Sequence, residues 1–281
     1  MKVGIVGLPN VGKSTLFNCL SQNKAQSENY PFCTIDPNVS IVNVPDKRLD
    51  TLNKLISPEK LIPTTVKIVD IAGLVKGASK GEGLGNQFLS NIRETDAILH
   101  LVRCFENDDI IHVSGKVSPL DDIETINTEL ALADLFSAEK AYQKAIKNSK
   151  AGQKEGLPLK NLLEKILPVL EKGLAVRSLE FNEEEAKLIK SLQMLTSKPV
   201  LYVANVNEDG FNNNPHLTTL IDYANSENSH VVSVCADIEA EIAELDDEDK
   251  QGFLDEMGQT ESGLDRLIKA GYRLLGLHTY F

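Results

Sequence analysis

Short apolar runs alternate with helical patterns in the first hundred residues and again near the end of the chain. Runs rich in Val and Ile indicate buried strands at residues 2–8, 39–44, 66–72, 97–105, 200–206 and 231–236. Helical patterns lie between them at residues 14–20, 47–56 and 87–95. Strands that alternate with helices predict an α/β fold, with a mostly parallel sheet flanked by helices.

The pattern changes between residues 105 and 200, where no strand is indicated. Apolar residues recur there at helical spacing. They are Ile123, Ile126, Leu130, Ala133, Ala138, Ala141, Ala145, Leu159, Leu162, Leu163, Ile166, Leu167, Leu170, Leu188, Ile189, Leu192 and Leu195. We therefore predict an inserted, coiled-coil-like helical domain over residues 121–198. Residues 1–120 and 199–281 would together form the α/β domain.

Composition places the chain among folded, cytoplasmic proteins. Hydrophobic residues make up 42% and charged residues 25% of the 281 residues, which excludes wholesale disorder. No apolar run approaches the length of a membrane span, and the first residues lack the features of a signal peptide. The four cysteines are scattered without C-x-x-C spacing, as expected of reduced thiols in the cytoplasm.

The net charge of −12 is concentrated in one segment. Residues 237–265 contain 12 acidic residues and 1 basic residue, a balance of −11, so the rest of the chain is close to neutral. Five lysines of the predicted insertion fall within an arc of roughly 120° on one helix face. They are Lys140, Lys144, Lys147, Lys150 and Lys154. Such a stripe could contact phosphates of ribosomal RNA, and the alternative is an ordinary solvated lysine face.

A phosphate-binding loop follows the first predicted strand. Residues 7–14 have the sequence GLPNVGKS, which matches G-x-x-x-x-G-K-[ST] between a strand and a helix. In such loops backbone N–H groups converge on phosphate oxygens. Lys13 would contact the β- and γ-phosphates, and the Ser14 hydroxyl would bind Mg²⁺.

Two further segments complete a nucleotide-switch pattern. The strand at residues 66–72 ends in a D-x-x-G motif formed by Asp70 and Gly73. Asp70 would hold Mg²⁺ through a water molecule, and the Gly73 N–H would contact the γ-phosphate. Thr34, in the loop before the second strand, would complete the metal coordination when nucleotide is bound.

The catalytic glutamine that follows D-x-x-G in many GTPases is replaced here by Leu74. An aliphatic side chain cannot orient water, so hydrolysis should be slow or another group must position the water. His112, in the loop after the fourth strand, is the candidate. The alternative is a locally hydrogen-bonded loop histidine.

The base-recognition motif also departs from the usual N-K-x-D of GTPases. Residues 205–208 have the sequence NVNE, so the lysine is Val206 and the aspartate is Glu208. Asn205 and Asn207 carry both a donor and an acceptor, which suits the edge of adenine, and Val206 could lie against the purine. This segment predicts ATP over GTP.

Several segments together resemble the Obg-like ATPase (YchF) family of P-loop NTPases. These segments are GLPNVGKST, NYPFCTIDPN, DIAGLVKGASKGEGLGNQFLSNIRE, NVNEDG and ESGLDRLIKAGY. The resemblance implies a G domain with a helical insertion, ATP hydrolysis, ribosome association, and a role in translation and stress responses. Nucleotide phosphates would be bound by Asn10, Val11, Gly12, Lys13, Ser14 and Thr15, the base by Asn205, Val206 and Asn207, and Mg²⁺ by Ser14 and Thr34. The family's C-terminal TGS domain would begin near residue 281, so we expect a truncated chain.

Two alternatives to a switching ATPase remain. In one, nucleotide is a nearly static allosteric ligand and the protein is a slow-turnover module that docks on the ribosome. In the other, the chain is a conventional Obg-type GTPase.

Overall fold

The computed structural model describes residues 1–22, 38–71, 84–151 and 156–280. Within them lie six strands, β1 (Lys2–Val6), β2 (Val39–Asn43), β3 (Thr65–Asp70), β4 (Ala97–Arg103), β5 (Val200–Asn205) and β6 (His230–Val234). The helices in the same ranges are α1 (Lys13–Gln22), α2 (Lys47–Ile56), α3 (Leu84–Arg93), α4 (Pro119–Lys150), α5 (Gly156–Glu171), α6 (Glu183–Leu192), α7 (Pro215–Ser226), α8 (Ala236–Glu244), α9 (Asp247–Glu256) and α10 (Gly263–Leu274). The predicted α/β class is confirmed.

The six strands form one sheet in the order β2-β3-β1-β4-β5-β6. All neighbours are parallel except β2, which runs antiparallel to β3 at the edge. Every residue of β4 and β5 is buried, as expected of parallel strands covered on both faces. The carboxyl ends of β1, β3, β4 and β5 therefore meet at one edge of the sheet, where α/β proteins bind their ligands.

The chain divides into two compact units. The α/β unit contains residues 1–72, 95–120 and 200–281, and the helical unit contains residues 73–94 and 121–199. The predicted insertion began at residue 121 and ended at residue 198. The structural division differs chiefly in that α3, which we placed in the α/β domain, groups with the helical unit.

Buried carboxylates join distant helices within each unit. In the α/β unit, Glu239 of α8 accepts hydrogen bonds from the backbone N–H groups of Gly263 (2.7 Å) and Leu264 (3.2 Å), so it caps the first turn of α10. In the helical unit, Asp134 of α4 accepts hydrogen bonds from residues 195 and 196, just before β5. Burial raises the pKa of both carboxyl groups.

The core of the helical unit is formed by one face of α4 together with α5 and α6. Its buried residues are Ala131, Ala138, Ala145, Leu162, Leu163, Ile166, Leu170, Val176, Ile189 and Met194. No helix in the described parts of the chain is both long and apolar enough to cross a membrane.

Candidate nucleotide-binding site

The predicted phosphate loop lies between β1 and α1, and its backbone has the conformation that such a loop requires. Asn10 and Gly12 both have positive φ, 62° and 91°. A Cβ atom at Gly12 would lie 2.2 Å from Nδ2 of Asn205, so this position needs glycine on two counts. The helix that follows begins at Lys13, so its N-terminal N–H groups face the loop.

Lys13 and Asp70 form an ion pair, which brings the phosphate loop and the end of β3 together. Both side chains are largely buried. The two residues that the sequence assigns to phosphate and to Mg²⁺ are therefore neighbours. When the loop binds a nucleotide, the Lys13 ammonium can turn from this carboxylate to the phosphates, which leaves Asp70 available for the metal.

Asn205, at the end of β5, joins the phosphate loop to the start of α8. Its Nδ2 donates to the carbonyl of Val11 (3.0 Å), and its Oδ1 accepts from the backbone N–H of Ala236 (3.0 Å). The side chain is only 4% exposed. The sequence analysis assigned this amide to the adenine edge. In the structure both of its polar atoms instead form hydrogen bonds within the protein, and these connect the phosphate loop to the start of α8.

The other residues of the predicted base-recognition segment differ from one another in how exposed they are to solvent. Val206 is 2% exposed and its N–H donates to Val234 in β6 (2.9 Å), so it belongs to the core rather than to an open face for a purine. Asn207 is exposed, and its carbonyl accepts from Gly210 (2.9 Å). Within residues 205–208, Asn207 and Glu208 are therefore exposed to solvent, whereas Asn205 and Val206 are buried.

The segment that ends β6 faces the same edge of the sheet. Cys235 is buried and immediately precedes α8, and burial raises the pKa of its thiol. A thiol with a raised pKa stays protonated and unreactive at neutral pH. The next N–H along the chain, that of Ala236, is the one held by Asn205.

His112 lies in a loop that contacts the phosphate loop. Asn10 Nδ2 donates to the carbonyl of Ile111 (3.0 Å), one residue away from the histidine. The His112 side chain is 6% exposed, and its Nδ1 accepts from the N–H of Ser114 (3.3 Å) and lies 2.8 Å from the Ser114 hydroxyl. His112 is thus locally hydrogen-bonded, which is the alternative that the sequence left open.

Arg103, which the sequence analysis did not single out, fixes the shape of this loop. It is fully buried at the end of β4, and its guanidinium donates to the carbonyls of Phe105 (3.1 Å), Asn107 (3.2 Å) and Ile110 (2.9 Å). It also lies 4.5 Å from the centre of the Phe105 ring. The available signal was an arginine inside the predominantly apolar run of residues 97–105.

The Mg²⁺ donors that the structure describes are suited to a nucleotide-bound ion. Ser14 is exposed at the start of α1. Asp70, at the end of β3, is paired with Lys13, the residue that precedes Ser14. Within residues 1–22, 38–71, 84–151 and 156–280, no group of three or more His, Cys, Asp or Glu side chains could hold a metal ion. A hydroxyl and a carboxylate fit Mg²⁺ that takes its other ligands from phosphates and water.

Thr34, Gly73, Leu74 and Lys154 lie outside the described residues.

Comparison with known proteins agrees with this geometry. Residues 2–134 match the family model described as 50S ribosome-binding GTPase. The chain is 61% identical over 280 residues to the ribosome-binding ATPase YchF of Haemophilus influenzae, and 57% identical over 284 residues to that of Bacillus subtilis. All of this chain is covered, with 77% and 78% of those two proteins.

A solved structure gives the same result for the fold. The YchF GTPase of Schizosaccharomyces pombe superimposes with a TM-score of 0.86 at 34% identity, covering 98% of this chain and 75% of that one. The matches span both the phosphate-loop unit and the helical unit at an identity far above the level of a shared fold alone. The chain therefore belongs to the YchF family of Obg-like P-loop NTPases.

Proposed function

We propose that this protein is a Mg²⁺-dependent ATPase that prefers ATP to GTP and acts in the cytoplasm as a ribosome-associated switch in translation and stress responses. The observation that carries the nucleotide preference is the base-recognition segment, where Val206 and Glu208 replace the lysine and aspartate of N-K-x-D. The relatives named ribosome-binding ATPase support both the substrate and the partner.

The loss of the aspartate is the physical basis of the preference. An aspartate at the fourth position accepts two N–H groups of guanine, and Glu208 places its carboxylate one methylene farther out. Asn207, which is exposed, can donate to and accept from an adenine edge. The segment thus lacks the carboxylate that binds two N–H groups of guanine, but it keeps an amide side chain, Asn207, that can pair with adenine.

A competition titration tests this preference. We expect ATP to displace a fluorescent nucleotide at a concentration about tenfold lower than GTP does, a difference of about 1.4 kcal/mol. The variant Glu208→Asp restores the aspartate of N-K-x-D at an exposed position and should move the preference toward GTP. Asn212→Ala, an exposed asparagine in the following loop, is the control and should leave the ratio unchanged. Tighter GTP binding by the parent chain would favour a conventional Obg-type GTPase, as two of the matches are named GTPases.

His112 is our candidate for the group that positions the attacking water, since Leu74 cannot. The ring would have to leave its hydrogen bond to Ser114, and the contact between Asn10 and Ile111 joins its loop to the phosphate loop. We expect His112→Ala to slow hydrolysis by about 100-fold with unchanged ATP affinity. The control is His216→Ala, a partly exposed histidine paired with Glu106 (2.9 Å). Phosphate release at the parental rate in the His112 variant would rule out the catalytic role.

A slow-turnover docking module is the second candidate function, and Leu74 is the feature that favours it. In that case nucleotide would set the affinity for the ribosome without being consumed. Turnover measured with and without ribosomes separates the two functions. Negligible hydrolysis and no stimulation by ribosomes would favour the module.

The lysine face of α4 is our proposed contact with ribosomal RNA. Lys140, Lys144, Lys147 and Lys150 all lie on this one helix, and all are exposed. We expect Lys144→Glu/Lys147→Glu/Lys150→Glu to weaken ribosome binding in sedimentation assays and to flatten its salt dependence, because fewer counterions are released. The charge-matched control is Lys172→Glu/Lys187→Glu/Lys190→Glu, which reverses three lysines that are exposed elsewhere in the helical unit. Equal binding and equal salt slopes for the two triple variants would remove the RNA assignment.

A further inference from the structure

The outward face of α4 combines exposed apolar side chains with the lysines. At about 100° per residue, the buried residues Ala131, Ala138 and Ala145 fall on one side of the helix. The opposite side, an arc of roughly 120° between residues 132 and 150, holds a different set. Its exposed residues are Leu132, Phe136, Lys140, Gln143, Lys144, Lys147 and Lys150. No acidic residue of this stretch falls within the arc.

Phe136 is the unusual member of this face. Its side chain is 59% exposed, and Leu132, one turn before it, is 44% exposed. The Nζ of Lys140 lies 3.9 Å from the centre of the Phe136 ring, a cation–π distance. An aromatic ring is thus presented to solvent with a cation held at its face, at the start of a row of cations.

We propose that Phe136 is a stacking site for an unpaired RNA base whose neighbouring phosphates are bound by Lys144 and Lys147. The inference rests on the proposed RNA contact of the lysine face and adds a second kind of contact to it. Lysines alone bind any polyanion, but an exposed aromatic ring among them also binds the flat face of a base. Paired bases in an RNA duplex offer no such face, so the site should select single-stranded or looped RNA.

Fluorescence anisotropy with a labelled single-stranded RNA of about a dozen nucleotides tests this site in the whole chain. We expect Phe136→Ala to weaken binding about 10-fold at every salt concentration, so that the salt slope is unchanged. Phe136→Trp should bind as tightly as the parent, and Phe136→Leu should resemble Phe136→Ala, because a leucine keeps apolar area but cannot stack. The same RNA annealed into a duplex should bind the parent and Phe136→Ala equally.

Two controls separate this inference from the proposed RNA contact itself. Lys144→Gln/Lys147→Gln should lower the salt slope by roughly 0.7 for each lysine removed, whereas Phe136→Ala should not. Leu157→Ala, an exposed aliphatic residue of α5, should change neither quantity. If the lysine variant weakens binding but Phe136→Ala does not, stacking is refuted and the phosphate contact stands. Equal binding by Phe136→Leu and Phe136→Trp would also overturn the stacking site.

Discussion

Replacing Lys13 by alanine is expected to reduce ATP hydrolysis by about 100-fold or more and to weaken ATP binding. In the structure the Lys13 ammonium neutralises Asp70 at the point where the phosphate loop meets β3. In the role that we propose for it, the same ammonium would contact the β- and γ-phosphates of a bound nucleotide, where negative charge develops as the γ-phosphoryl group is transferred. Alanine removes that charge and leaves the Asp70 carboxylate to repel the incoming phosphates.

Phosphate release and calorimetric titration with Mg-ATP measure the two effects separately. The matched control is Lys67→Ala, an exposed lysine on β3, the strand that ends at Asp70. It removes a positive charge from the same strand without touching the loop. A Lys13→Ala protein that melts at the parental temperature but hydrolyses ATP at the parental rate would show that Lys13 does not contact the phosphates.

The sequence located the elements of the fold well because each carries a local signal. All six strands were predicted within three residues of their observed ends. The clearest signal is that of β5, a parallel strand buried along its whole length, which is an apolar run up to Asn205. The start of α4 was missed by two residues, although Pro119 is a residue typical of the first turn of a helix. The placement of α3 in the helical unit has no local signal, because it depends on tertiary packing.

The site was predicted in its chemistry but only partly in its geometry. The phosphate loop and Asp70 carry their function in residue type and spacing, so their proximity could be expected. The two hydrogen bonds of Asn205 join residues that are 194 and 31 positions away along the chain. No pattern in a single sequence predicts which polar atoms a fold will bring together over such separations. The role of Arg103 was missed for a different reason: its partners are close in sequence, but they are backbone carbonyls, which residue types do not reveal.

Replacing Asp134 by alanine should destabilise the helical unit by about 3 kcal/mol. This carboxylate of α4 accepts from the N–H groups of Leu195 (2.9 Å) and Thr196 (2.7 Å) and from the Thr196 hydroxyl (2.7 Å). Thr196 in turn holds the 3₁₀ turn at Val176–Ser178, because its hydroxyl accepts from the N–H of Val176 (3.2 Å). Alanine would leave three buried donors without their acceptor.

Urea unfolding followed by circular dichroism, with hydrogen exchange of α4 peptides as the local probe, measures this loss. Glu139→Ala is the matched control, because it removes an exposed carboxylate from the same helix. Nucleotide affinity provides a second comparison, since Asp134 lies outside the phosphate-loop unit. A variant with parental stability would mean that water replaces the carboxylate oxygens.

The pH dependence of stability gives a sharper test of the same residue. Burial raises the pKa of Asp134 above its ordinary 3.8, and the hydrogen bonds from Thr196 and Leu195 and the charge of Arg93 offset only part of that effect. Between the unfolded and folded pKa values the folded state binds more protons, so this group favours folding at low pH, and that contribution is lost as pH rises through the folded pKa. Asp134→Asn cannot titrate. The excess stability of the parent over Asp134→Asn should therefore shrink as pH rises above about 4. An excess that instead grows as pH rises toward about 4 and is constant above it would mean that the three hydrogen bonds outweigh desolvation and hold the pKa below its ordinary value.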